Sequence, residues 1–153
     1  MDETITYKGK EVELIQKPYI NDIYYQANVM DQQGIAYKAT WEIVVPGEED
    51  FYQACKWQTP DRMQRIGQIV KAETTVDIRK ILEELKRDKT KKWVTHTKNG
   101  YIVRVSYVCN EEKWLVEADF FRPNGSVLDS QNGGVLDSRI NETIKYIIWL
   151  LKQ

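Results

Sequence analysis

Apolar and polar residues alternate along much of this chain, and three stretches fit a helical period. Ile5-Thr6-Tyr7 and Val12-Glu13-Leu14-Ile15 flank Lys8-Gly9, where glycine can take the positive φ of a tight hairpin. Residues 23–30 and 35–45 are rich in Tyr, Val, Ile, Thr and Trp, with Asp31-Gln32-Gln33-Gly34 as the turn between them. In the second run Ile35, Tyr37, Ala39, Trp41, Ile43 and Val45 share one face, opposite Ala36, Lys38, Thr40, Glu42 and Val44. That split predicts an antiparallel sheet covered on one side and solvated on the other.

Pro46-Gly47-Glu48-Glu49-Asp50 ends the first sheet, and the stretch through Pro60 carries Phe51, Tyr52 and Trp57 without a clear period. It is the best candidate for a boundary or crossover. Over 62–72, Met63, Ile66, Ile69 and Val70 suit a helix with Asp61 as N-cap, although Ile66-Gly67-Gln68-Ile69-Val70 also reads as a strand. The helix is the preferred reading. A second helix is predicted over 76–88, because Thr74-x-x-Asp77 is a start signal and Ile78, Ile81, Leu82 and Leu85 form one stripe. Its other face pairs Arg79 with Glu83, Lys80 with Glu84 and Glu83 with Arg87 at the supportive spacing of four.

Three strands follow over 93–97, 101–109 and 113–121, joined by Asn99-Gly100 and Asn110-Glu111-Glu112. Tyr101, Val103, Val105 and Tyr107 share a face, as do Trp114, Val116, Ala118 and Phe120; both sets are core candidates. Val-Leu-Asp-Ser occurs at 127–130 and again at 135–138, around Gln131-Asn132-Gly133-Gly134. The segment reads as a hairpin or loop, with a small tandem duplication forming a binding loop as the alternative; a solenoid needs more and longer repeats. The last helix, capped by Asp137 or Ser138, places Ile140, Ile144, Ile147, Ile148 and Leu151 on one stripe, widened by Tyr146 and Leu150, with Trp149 on the more polar side.

The expected fold class is therefore α+β: an antiparallel β-meander of about four strands at the N-terminus, then a helix, a three-stranded antiparallel meander and a C-terminal helix. Residues 1–60 form the antiparallel sheet region and 61–153 the α-β-β-β-α region, either merged into one domain or separate. The order helix, three strands, helix over 76–152 resembles that of double-stranded RNA-binding domains. The position matching that family's basic, alanine-rich second helix reads Asp137-Ser138-Arg139-Ile140-Asn141-Glu142. The resemblance is one of element order alone, an order other α+β folds share, and membership is not inferred.

At 153 residues the chain is long enough for a core without metal or disulfide staples. Its 22 basic and 23 acidic side chains nearly cancel, which argues against a molecule coated with positive charge for nucleic acid. The distribution is uneven: the net charge is −5 over 1–60, +5 over 61–100 and −1 over 101–153. The start is acidic and lacks a signal-peptide pattern, and no apolar run is long enough to span a bilayer, so a soluble cytoplasmic protein without membrane contact is expected. Cys55 and Cys109 read as free, buried thiols of a reducing compartment.

Catalytic signatures are missing from the sequence. With one histidine, every triad must use His96, and neither cysteine has a nucleophile context. Zinc spacing, calcium loops and phosphate-cradling glycine motifs do not occur, so neither metal nor cofactor is expected. Glu117 and Asp119 alternate on what reads as a solvated strand face. The feature above background is Lys86, Arg87, Lys89, Lys91, Lys92 and Lys98 interleaved with Trp93, His96 and Tyr101, set against the single acid Asp88. Such a mixture suits phosphates and exposed bases, or the negative end of a helix and a solvated loop. The leading expectation is a small non-catalytic interaction module, a regulator or inhibitor that binds a protein partner through Glu48, Glu49 and Asp50 on one side and the basic aromatic segment on the other. The alternatives are a nucleic-acid binder using residues 86–101, and a small-ligand binder with a pocket between the sheets and the loop over 125–137. A homodimer through the last helix or a strand edge is an additional expectation.

Overall fold

A computed structural model gives the structure of residues 4–72, 74–97, 99–110, 112–133 and 138–152. The α+β expectation is overturned: 45% of the chain is strand and 20% helix, so the protein is mostly β, built on a ten-stranded mixed sheet with three short helices. The strands are β1 (Ile5–Tyr7), β2 (Lys10–Leu14), β3 (Tyr19–Asn21), β4 (Tyr24–Asp31), β5 (Ile35–Glu42), β6 (Arg62–Ile69), β7 (Lys92–His96), β8 (Ile102–Asn110), β9 (Lys113–Phe121) and β10 (Val127–Gly133). The helices are α1 (Phe51–Ala54), α2 (Thr75–Arg87) and α3 (Ser138–Leu151). The sheet runs β1-β2-β4-β5-β6-β7-β8-β9-β10, with β3 also paired to β4.

The helix preferred over 62–72 is strand β6, paired antiparallel with β5 from Thr40↔Arg62 to Ile35↔Gln68. Asp61 does not cap a helix; its carboxylate accepts from the Glu42 backbone N–H at 2.8 Å. The reason lies beyond the local pattern. β6 joins β7 in parallel through Gln68↔Trp93 and Ile69↔Val94, and a parallel pair needs a long crossover, which α2 supplies. A Cβ at Gly67 would stand 2.7 Å from the Lys92 carbonyl oxygen and 2.9 Å from Val94 Cγ2, so only glycine allows this approach. The predicted three-stranded meander gains a fourth strand: β10 pairs with β9 across the turn at Pro123-Asn124-Gly125. The first Val-Leu-Asp-Ser copy lies in β10, whereas 135–137, most of the second copy, fall outside the described residues. β3 also went unforeseen, being three residues long.

Local signals held where they were strong. Thr74 caps α2, with a reciprocal box to Asp77, and Ile78, Ile81, Leu82 and Leu85 are buried. Lys8 and Gly9 both have positive φ in the β1–β2 turn.

Three apolar clusters fill the molecule. Under α2 and α3 lie Val103, Val105, Val116, Ala118 and Phe120 with Ile144, Ile147 and Leu150. The Trp114, Ile140 and Leu151 side chains fall outside the described residues. On the N-terminal arm, β1 to β6, Ala27, Val29, Ala39 and Trp41 are covered by Phe51, Ala54 and Cys55 of α1 and its C-cap. The third cluster, Ala36, Ile66, Val94 and Ile102, lines the inner face where the sheet curls on itself. That curl brings Gln16 Nε2 to the Pro123 carbonyl at 3.1 Å and lays the Tyr19 ring against Gly125. The face of β5 expected to be solvated is partly enclosed in consequence, with Ala36 and Thr40 buried.

Candidate functional site

The aperiodic stretch after Pro46 folds back over the outer face of the N-terminal arm. Asp50 caps α1 by accepting from the Tyr52 backbone N–H at 3.0 Å. The Trp41 indole donates to the Trp57 carbonyl at 3.0 Å, and both Val44 and Val45 donate to the Ala54 carbonyl. Phe51 then packs edge-on against Trp41, with ring centres 4.9 Å apart, and against Tyr25 at 5.3 Å. These ties leave Tyr52 standing at the surface, 52% exposed, between Phe51 at 5.2 Å and Trp57 at 5.3 Å.

Because α1 is a single turn, it covers only part of this face. Two depressions of about 630 and 620 Å³ meet at Leu14 and Tyr52. The first has Ile5, Val12 and Met30 in its wall, with Glu11 and Glu13 beside them. The second has Pro18, Ile20 and Phe51, with Glu49, Asp50 and one cation, Lys17. The result is a groove of mixed apolar, aromatic and polar lining with carboxylates in both halves.

Asp31 borders the first depression but serves the fold. Its Oδ1 accepts from the Gln33 and Ile35 N–H groups, both at 2.9 Å, and its Oδ2 lies 3.1 Å from the Tyr37 hydroxyl and 3.6 Å from Lys10 Nζ. Burial works to raise its carboxyl pKa, but the Ile35 and Gln33 N–H groups, Tyr37 and Lys10 outweigh it and hold the group below its ordinary value.

The structure separates the two charged patches read from the sequence. Glu49 and Asp50 are exposed at the groove; Glu48 is half-buried and its carboxylate accepts from the Asp50 N–H at 3.1 Å. Lys86 and Arg87 occupy the last turn of α2, and Lys89, Lys91 and Lys92 continue exposed into β7. Lys98 lies outside the described residues. His96 is exposed on β7, whereas Trp93 is 9% exposed and Tyr101 packs on the core beneath the helices. Lys91 Nζ lies 5.6 Å from the centre of the Trp93 ring, and Lys89 Nζ 5.8 Å from that of Tyr107. The cations therefore stand outward while these rings serve the core, an arrangement suited to phosphate contact and poorly suited to stacking on bases.

The thiols and His96 are not assembled into a nucleophilic pair. His96 pairs with Ile102 at one end of β8 and Cys109 sits at the other, roughly 20 Å away at the rise of a strand; Cys109, expected to be buried, is exposed there. Cys55 is buried beneath the N-terminal arm, and burial followed by the Asp61 charge pushes its pKa up, which disfavours the reactive thiolate. Among the described residues no group of three or more His, Cys, Asp or Glu is placed to hold a metal ion. No described helix is long and apolar enough to cross a membrane. Asp119, read from sequence as solvated, is 9% exposed, with Arg104 Nη2 at 3.0 Å and Ser130 Oγ at 2.7 Å.

Sequence reasoning found the acidic run but missed the groove beside it. Leu14, Ile20 and Tyr52 come from three separate segments, and only the neighbouring aromatics Phe51 and Tyr52 offered a local sign. No protein-family model matches the chain, and no curated protein or solved structure matches it either.

Proposed function

We propose that this protein is a non-catalytic interaction module whose outer N-terminal face binds a basic, apolar segment of a protein partner. The observation that carries the reading is Tyr52, held half-exposed by ring contacts between two depressions that combine apolar side chains with Glu11, Glu13, Glu49 and Asp50. An anchored aromatic at the centre of a surface loses little entropy on binding and is the usual energetic focus of an interface. Carboxylates at the rim select cationic partners and speed their encounter.

The test uses a fluorescent peptide alternating Lys or Arg with Leu or Phe, and a counterpart carrying Glu at the cationic positions. The cationic peptide should bind at low salt and the acidic one should not. Tyr52→Ala should weaken binding about tenfold or more, the range of an interface anchor. Glu11→Lys with Glu49→Lys should weaken it too, mainly through slower association. Equal binding of both peptides, or no loss in either variant, would sink the reading.

A second reading rests on the exposed run Lys86, Arg87, Lys89, Lys91 and Lys92, which suits nucleic-acid phosphates. It predicts steeply salt-dependent binding of labelled DNA or RNA without base preference. Reversing Lys89, Lys91 and Lys92 to Glu should abolish that binding and leave peptide binding intact.

A further inference from the structure

Where the two arms of the sheet close on each other, the inner face carries polar groups that the fold does not explain. Lys38 of β5 is half-buried there, with Asn28 and Gln64 as its cross-strand neighbours. Among the described residues no carboxylate lies within ion-pair reach of its ammonium. The charge it meets is that of Arg104, from β8 of the opposite arm, and the two share one small cleft. Arg104 is balanced by Asp119, so the cleft retains the positive charge of Lys38. Burial, and then the Arg104 charge, lowers the Lys38 pKa.

Asn28 supplies an independent sign. The residue is 6% exposed, its backbone N–H donates to Gln16 Oε1 at 2.8 Å, and its own Oδ1 is buried without a hydrogen-bond partner. An orphaned buried acceptor destabilises the fold unless something donates to it. It lines the same cleft as Lys38, Arg104 and Tyr19, together with Gly125, the apolar Ile66, Ile102 and Phe121, and Gln16, whose amide is engaged by the Asn28 N–H and the Pro123 carbonyl. The space left for solvent there is about 20 Å³, enough for an occupant of one or two water volumes.

We propose that this inter-arm cleft is a binding site for a compact oxyanion that keeps one hydroxyl, with hydrogen carbonate the best-sized member of that class. Its charged oxygens accept from Lys38, Arg104 and the Tyr19 hydroxyl, and its O–H donates to Asn28 Oδ1. The small space favours it over hydrogen phosphate. Nitrate, equally compact and planar, brings the charge but no proton for Asn28.

Thermal unfolding of the whole chain in sealed cells at pH 8 tests this, with sodium hydrogen carbonate, phosphate, nitrate and chloride compared at equal ionic strength so that simple screening cancels. Hydrogen carbonate should raise Tm by about 3–6 °C at ten times its Kd, phosphate less, and nitrate and chloride hardly at all. Lys38→Met should abolish the response, and Lys38→Arg should restore part of it. The wild-type series is decisive even if a variant folds poorly. No shift with any anion, a nitrate shift equal to that of hydrogen carbonate, or a response that survives Lys38→Met would overturn the proposal.

Discussion

The N-terminal and C-terminal arms share one sheet but solve the problem of covering it in different ways. On the C-terminal arm, β7 to β10, the helices α2 and α3 lay Leu82, Leu85, Ile144, Ile147 and Leu150 over β8 and β9, and those side chains are almost fully buried. On the N-terminal arm a one-turn helix and an aromatic loop cover the centre around Trp41 and leave grooves on either side. Helices close a sheet face over their whole length, because each presents a continuous apolar stripe. A plug of single aromatics closes only what it touches. The better-covered arm therefore has a continuously closed face, and the other keeps open surface beside its aromatic plug.

The largest test of this contrast removes the centre of each core. Phe120→Ala and Trp41→Ala should each destabilise by about 3–5 kcal/mol, since both side chains are fully buried. With one continuous sheet, both variants should lower the midpoint of a single urea transition. Two transitions, each moved by one variant, would make the arms separate folding units.

A smaller effect is expected at the join. Gly67→Ala forces a methyl against the Lys92 carbonyl and should cost about 1–3 kcal/mol. Hydrogen exchange should show the loss of protection centred on β6 and β7. Unchanged stability would mean that the parallel contact yields at no cost.

The smallest effect belongs to the N-terminal arm alone. The Asp31 carboxyl has a folded-state pKa below its ordinary 3.8, so its stabilisation is complete above that value and fades as pH falls through the folded one. Asp31→Asn should lower stability at pH 7 by about 1–2 kcal/mol and flatten the decline below pH 4. A variant whose acid profile parallels the wild type would remove Asp31 from this role.

Legibility in the sequence followed the range of the interactions involved. α2 was readable because its capping box and apolar stripe lie within a few residues of each other. The β8–β9 pairing was readable from alternation and turn chemistry, and Val103, Val105, Val116, Ala118 and Phe120 were correctly placed in the core. β6 was misread because eight residues with Met63, Ile66 and Ile69 satisfy both periods, and the deciding contact, Gly67 against Lys92, spans 25 positions. Residues 127–133 read only as a hairpin or loop because they carry little apolar alternation; pairing with β9 makes them a strand. Part of the acidic lining of the candidate groove was visible as Glu49-Asp50, but its apolar lining and the share of Glu11 and Glu13 were not.

The sequence by itself determined the hairpin turns, the two long helices and most of the apolar positions that fill the cores, because hydrogen-bonding geometry and hydrophobic period act over one or two turns of chain. Only the tertiary structure decided that the strands form a single mixed sheet, that its polar face curls inward, and that Lys38, Asn28 and Arg104 line one cleft. Those outcomes depend on which strand edges pair and on how a twisted sheet closes on itself, and residues far apart in the chain set both.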